Sequence, residues 1–269
     1  MSADPRFTLA DADVRFPNPS LIEGDVIAVG GNLGPQMLLS AYKQGIFPWF
    51  SDGDPILWWS LDPRFVIVPS RLHVSKSLRK RIRRNPFRLT LDTAFEEVLR
   101  GCREAERPGQ DGTWITDSMT EAYARLHREG FAHSVEAWLD GELAGGLYGV
   151  SLGGCFYGES MFAGQPDASK VAFAALGGIL IDAGFGLIDC QQHTRHLASF
   201  GAFDMRRERF LEMLAKELEK PTLRGDWRDT FPEFPASRLW NGLAAGVADA
   251  VVAVVAGKGG PVDAGRAGP

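Results

Sequence analysis

Leu187-Ile188-Asp189-Cys190-Gln191-Gln192 is the stretch whose reading decides the fold. An apolar run enters it from Phe185, in the manner of a buried strand. It then delivers a carboxylate and, two residues later, a carboxamide. In a strand, residues i and i+2 share a face. Asp189 and Gln191 are therefore expected side by side at a strand end, where open α/β sheets commonly bind ligands. Such a pair can hold and orient an incoming nucleophile, or it can be a structural hydrogen-bonding pair. Cys190 turns to the opposite face and is expected to pack rather than to react.

Working outward, the pattern around this strand is mixed α and β. Pro166-Asp167 opens an apolar helix over 168–183 that stops at Gly184. Before it lie two strands over 134–139 and 142–150, joined by the hairpin dipeptide Asp140-Gly141, and a third over 154–162. Ser118 and Glu121 read as a capping box for a helix closed by Gly130. Residues 92–102 have helical spacing after a strand over 89–93. An amphipathic helix over 207–218 closes the pattern. Antiparallel hairpin, third strand, helix, then a strand bearing polar residues is an order that resembles the core of GNAT-type acyltransferases.

The first seventy residues differ. They are rich in Pro, Gly and Trp, with one credible helix over 36–43 opened by Pro35 and stopped by Gly45. They read as a small N-terminal domain of short elements over 1–70. The second domain spans 71–235, and residues 236–269 read as a disordered tail. The apolar stretch 243–256 is broken by Asp249 and is short for a bilayer span.

Composition narrows the function. The chain has 269 residues, is 45% hydrophobic and carries a net charge of -5, which argues against a general nucleic-acid coat. Against that acidic average, residues 71–88 hold Arg71, Lys76, Arg79, Lys80, Arg81, Arg83, Arg84 and Arg88 with no acid among them. This is either a solvated helix face or a phosphate-backbone contact surface. Cys102, Cys155 and Cys190 form no paired motif, which fits a reducing cytosol. No basic and apolar leader opens the sequence. His73, His133 and His196 lack metal-ligand spacing and read as structural hydrogen bonders.

The specific motifs run in order: Gly45-Ile46-Phe47-Pro48-Trp49-Phe50, Leu57-Trp58-Trp59-Ser60, Asp62-Pro63-Arg64 and His73-Val74-Ser75-Lys76-Ser77-Leu78. Then come Gly112-Thr113-Trp114-Ile115-Thr116, Ala132-His133-Ser134-Val135-Glu136 and Gly145-Gly146-Leu147-Tyr148-Gly149-Val150. Last are Gly158-Glu159-Ser160-Met161-Phe162, Ala168-Ser169-Lys170, Ile188-Asp189-Cys190-Gln191 and His196-Leu197-Ala198-Ser199-Phe200-Gly201-Ala202. Together they closely resemble the bacterial leucyl/phenylalanyl-tRNA–protein transferases, over roughly residues 16–214. Leu61, Gly34 and Phe200 depart from the usual family residues at positions outside the expected site.

The resemblance implies an α/β (α+β) protein: a small N-terminal domain, then a GNAT-like domain with a mixed, mainly antiparallel sheet. It implies transfer of Leu or Phe, with Met a further candidate, from aminoacyl-tRNA to the α-amino group of proteins beginning with Arg or Lys. The product is a primary N-degron for cytosolic proteolysis. Carried over by position, Asp189 and Gln191 are catalytic. Trp49 and Trp114 contact the terminal adenosine, and Leu147, Leu176 and Ile188 form the side-chain pocket, with Glu159 near the reacting groups. Lys76, Arg79, Lys80, Arg81, Arg83 and Arg84 meet the tRNA. The implied enzyme is a cytoplasmic monomer without membrane contact, cofactor or metal.

The chemistry is consistent with that residue set. An aminoacyl ester is already activated, and a protein α-amine has a pKa of about 8, so holding one against the other is the main task. Gln191 is too weak a base to abstract a proton outright. Two other readings remain at this level. An acyl-CoA enzyme would need a phosphate cradle before the 168–183 helix, and Ala163-Gly164-Gln165-Pro166-Asp167 has no cation and ends in an acid. A non-catalytic RNA-binding module would leave the Asp189 and Gln191 pair without a role.

Overall fold

The computed structural model describes residues 14–84, 86–105 and 115–234. Trp114 and the 236–269 tail lie outside the described residues. The N-terminal part forms a three-stranded sheet of order β1-β3-β2, from β1 (Val26–Val29), β2 (Phe47–Pro48) and β3 (Leu57–Trp59). Its helix α1 (Pro35–Lys43) starts on a proline, whose missing N–H costs nothing in a first turn, and ends before Gly45 at φ 71°.

The main sheet has seven strands in the order β10-β4-β9-β8-β7-β6-β5. These are β4 (Arg64–Ile67), β5 (Arg88–Leu91), β6 (Ala132–Leu139), β7 (Glu142–Leu152), β8 (Cys155–Ala163), β9 (Leu187–Gln191) and β10 (Phe203–Met205). All neighbours are antiparallel except β8 and β9, which the crossover helix α5 (Ala168–Asp182) makes parallel. The Asp140-Gly141 hairpin is present, with both residues at positive φ (52° and 88°), as a type I′ turn requires. β4 precedes residue 70 yet belongs to the large sheet, so the sheet begins ahead of the domain boundary expected at 70.

Two apolar layers flank the sheet. α5, α2 (Lys76–Arg83), the short α6 (Arg195–Ala198) and α8 (Trp227–Thr230) pack with Phe65, Ile67, Leu147, Phe156 and Ile188 on one face. On the other, α1, α3 (Phe95–Glu104), α4 (Asp117–Arg128) and α7 (Arg207–Leu218) pack with Val66, Tyr148, Tyr157 and Leu187. Adjacent strand residues thus fall alternately into the two cores, which is the period of two.

Local details differ from expectation at two points. The cap of α4 is Thr116, whose hydroxyl accepts from the Met119 N–H at 3.2 Å. Ser118 therefore lies inside the first turn, and Glu121 pairs with Arg128 at 2.9 Å instead of closing a capping box. β5 ends at Leu91, because Asp92 takes a left-handed φ of 47°. Asp92 then accepts from the Ser134 N–H, His133 Nδ1 and the Trp227 N–H at 2.8, 2.8 and 2.9 Å. His133 stacks on Trp227 at 3.9 Å, and its burial lowers its pKa, so it serves as a neutral bracket between sheet and α8.

Candidate active site

β8 and β9 are hydrogen-bonded over three pairs only, from Cys155 with Leu187 to Tyr157 with Asp189. Beyond these the strands part. Each is also bulged at the parting point. Against β7, β8 carries one extra residue at Glu159, since Tyr148 pairs with Ser160 and Gly149 with Gly158. Against β4, β9 carries one extra residue at Cys190, since Phe65 pairs with Gln191 and Val66 with Asp189. Bulges re-aim side chains and end pairing, and these two open a split in the sheet.

A cavity of about 390 Å³, within the range of small-molecule sites, fills this split. Gly158, Glu159 and Ser160 line it from β8, and Cys190, Gln191 and Gln192 from the end of β9. Leu147, Phe173, Leu176 and Ile188 make its apolar part, and Phe47, Pro48 and Trp49 its wall from the small sheet. The structure therefore brings together Trp49, Leu147, Glu159, Leu176, Ile188 and Gln191 of the sequence-expected residues.

Glu159 is the polar centre. Its carboxylate accepts from the Tyr42 and Tyr123 hydroxyls, both at 2.7 Å, and from Gln191 Nε2 at 3.0 Å. The two tyrosine oxygens are themselves 2.5 Å apart. Burial pushes the Glu159 pKa up to about 7, against the pull of the tyrosine hydrogen bonds, and the nearby Asp189 charge adds to the rise. Because a carboxylate only accepts, the Gln191 amide must turn its NH₂ toward Glu159. Its Oε1 is the amide atom not bonded to Glu159, and the Gln191 residue lines the cavity.

Asp189 is not where the sequence expectation put its chemistry. It does sit next to Gln191, but it is fully buried and does not line the cavity. Its Oδ1 accepts from Arg64 Nε at 2.8 Å and from the Gln191 backbone N–H at 2.9 Å, and its Oδ2 accepts from Arg64 Nη2 at 2.6 Å. The reason is the strand geometry: Gln191 has φ 60°, which turns the chain at the strand end while Asp189 stays within the sheet. These bonds turn the Asp189 carboxylate toward Arg64 and the Gln191 backbone, so the structure places this expected catalytic group behind Gln191 and outside the cavity lining. Cys190 packs in the apolar layer, as expected, and also lines the cavity. Burial raises its thiol pKa, so it is held as the thiol.

Sequence reasoning missed Arg64, Tyr42 and Tyr123 as site residues. Arg64 stands in a quoted motif, but nothing local says that it faces Asp189. The basic helix α2 is present, capped by Ser75 and anchored by Leu78 and Ile82. Lys76, Lys80, Arg83 and Arg84 are exposed, while Arg79 and Arg81 are half-buried. Arg79 Nε donates to the Val74 carbonyl at 2.7 Å, and Arg81 lies over the Phe87 ring at 5.6 Å. His196 lines the cavity, and its buried Nε2 finds no hydrogen-bond partner among the described residues, unlike the satisfied bonder expected. Before α5, the phosphate cradle that an acyl-CoA enzyme would need is disfavoured, since Asp167 places a carboxylate at the helix start and pairs with Lys170 at 2.9 Å. Among the described residues, no helix is long and apolar enough to cross a membrane.

Comparison with known proteins identifies the family of the chain. The family described as leucyl/phenylalanyl-tRNA protein transferase matches residues 66–215, and the N-terminal domain of the same family matches residues 31–62. A relative from Anaeromyxobacter sp. (strain Fw109-5) is 59% identical over 216 residues, 80% of this chain and 92% of the relative. One from Myxococcus xanthus (strain DK1622) is 56% identical over 227 residues, 84% and 97% of the two chains. One from Desulfatibacillum aliphaticivorans is 55% identical over 224 residues, 83% and 96%. All three are named leucyl/phenylalanyl-tRNA–protein transferase. The chain is a member of the leucyl/phenylalanyl-tRNA–protein transferase family, and hence an aminoacyltransferase.

Proposed function

We propose that this enzyme transfers Leu or Phe, with Met a further candidate, from aminoacyl-tRNA to the α-amino group of proteins that begin with Arg or Lys. It would act as a cytoplasmic monomer and mark its products for proteolysis. The observation that carries the reading is the pairing of one apolar pocket, walled by Leu147, Leu176 and Ile188, with the Gln191 carboxamide, which lines the same cavity and whose NH₂ is held by Glu159. An aliphatic or aromatic side chain in the pocket would bring its ester carbonyl to the split between β8 and β9. Trp49 stands on the wall with a flat face suited to stacking on a base.

The step needs no activation beyond the ester. The amine nitrogen attacks the carbonyl carbon, a C–N bond forms, and the bond to the tRNA 3′ oxygen breaks. A proton leaves the amine, and one arrives on the departing 3′ hydroxyl. Gln191 Oε1 would accept a hydrogen bond from the attacking amine and hold its lone pair toward the carbonyl. Glu159 fixes the amide's orientation, and Asp189 fixes the backbone that carries it. The exposed cations of α2 would meet the acceptor-stem phosphates.

The test replaces Gln191 with Ala and measures transfer of labelled Leu from Leu-tRNA to an Arg-initiated protein, with acetyl-CoA as a parallel donor. Turnover is expected to fall about 100-fold, the usual scale for losing one aligned transition-state hydrogen bond, with tRNA affinity unchanged. Intact turnover, or transfer from acetyl-CoA instead, overturns the reading.

A further inference from the structure

We propose that Arg64 is a positioning residue of the transfer reaction, acting on Gln191 through Asp189. The inference rests on the reading of Gln191 given above. The Arg64 side chain is completely buried. Its guanidinium lies 4.7 Å from the ring of Phe47 on β2 and 4.7 Å from the ring of Phe210 on α7. Two of its nitrogens fork onto Asp189, and the third, Nη1, has no hydrogen-bond partner among the described residues. That arrangement is poor as a stability device. A buried ion pair often does no better than apolar residues of the same volume, and an unmatched N–H makes it worse. It is good as an alignment device, because a guanidinium fork fixes a carboxylate in both angle and distance.

The alignment is passed on by a shared atom. Asp189 Oδ1 receives both Arg64 Nε and the backbone N–H of Gln191. That N–H belongs to a residue at φ 60° beside a bulge, where an L-residue is held only if its surroundings over-determine it. Rotation of the Asp189 carboxylate would release the N–H, and the Gln191 carboxamide would shift with its backbone. The two rings that grip Arg64 come from the small sheet and from α7, and Phe47 also lines the cavity beside Trp49. One cation thus holds together the wall of the cavity and the strand that carries its acceptor.

The test is Arg64→Lys, which keeps the charge and loses the fork. Expected is a fall in kcat of about 10- to 100-fold, the effect of a displacement near 1 Å, with KM for Leu-tRNA within about 2-fold of the parent. The same change made in a Gln191→Ala background is expected to cost no further turnover, because its route to the reaction is already gone. A purely structural role would lower turnover equally in both backgrounds, and that result overturns the proposal. So does a folded Arg64→Lys enzyme with unchanged kcat. Should Arg64→Lys fail to fold, Phe210→Leu, which loosens the grip on the guanidinium, is read by the same two-background comparison. If Gln191→Ala itself keeps full turnover, the reading of Gln191 has failed. If Gln191→Ala is impaired and Arg64→Lys is not, only the present inference has failed.

Discussion

Asp189 and Glu159 are two buried carboxylates in one site, each bonded to Gln191, and they are handled in opposite ways. Asp189 faces a cation and takes the backbone N–H of Gln191. Glu159 faces only neutral donors, two tyrosines and the Gln191 side chain. The first arrangement fixes position. The second leaves a group that titrates near neutrality, because hydrogen bonds from phenols offset only part of what burial costs a carboxylate. One carboxylate sets where Gln191 is, and the other sets which way its amide points.

The strongest way to break this comparison is Asp189→Ala. It leaves a buried guanidinium without its anion, and the expected destabilisation is about 3 to 5 kcal/mol by urea denaturation. A loss under about 1 kcal/mol would show that the Arg64 charge is not held by Asp189. Glu159→Gln sharpens the other side. The folded pKa of Glu159, about 7, lies above its ordinary value of 4.5. Between those pH values the folded chain holds a proton that the unfolded chain has released, so stability falls as pH rises from 4.5 to 7. The contribution is on the order of 3 kcal/mol. Denaturation midpoints at pH 5 and pH 7.5 should draw closer together in the variant, and an unchanged gap would assign the slope to other groups.

Two smaller effects concern the apolar part of the cavity and the basic helix. Ile188→Val, in the apolar part of the cavity, is expected to cost about 0.5 to 1.5 kcal/mol and to raise the ratio of Phe to Leu transfer in a competition assay. Lys80→Ala and Arg83→Ala, on exposed positions of α2, should each change stability by less than about 0.5 kcal/mol. Each should also make the slope of log affinity for tRNA against log salt shallower by roughly 0.7 to 0.9. An unchanged slope would remove that residue from the tRNA contact.

Much of the fold was legible because it is locally encoded. The Asp140-Gly141 hairpin, the Pro35 helix start and the amphipathic spacing of Phe210, Leu211 and Leu214 each announce an element within a few residues. β4 and β10 were not legible as sheet strands, since four and three residues carry too little periodicity. The capping error at Ser118 arose because two hydroxyl residues compete for one cap, and only the backbone shows that Thr116 holds it. In the site, the adjacency of Asp189 and Gln191 followed from strand spacing. Their division of labour did not, because it depends on Arg64, which lies 125 positions away.

The sequence by itself determined the family, the central hairpin and its flanking helices, the basic helix and the positions that carry polar groups at the end of β9. These are properties of residue type and short-range spacing. Only the tertiary structure decided that two facing bulges open the sheet between β8 and β9. It alone joined Tyr42 to Glu159 across 117 positions and locked Asp189 onto Arg64. Burial, charge partners and the orientation of one amide are set by which distant segments pack together, and no local pattern contains that information.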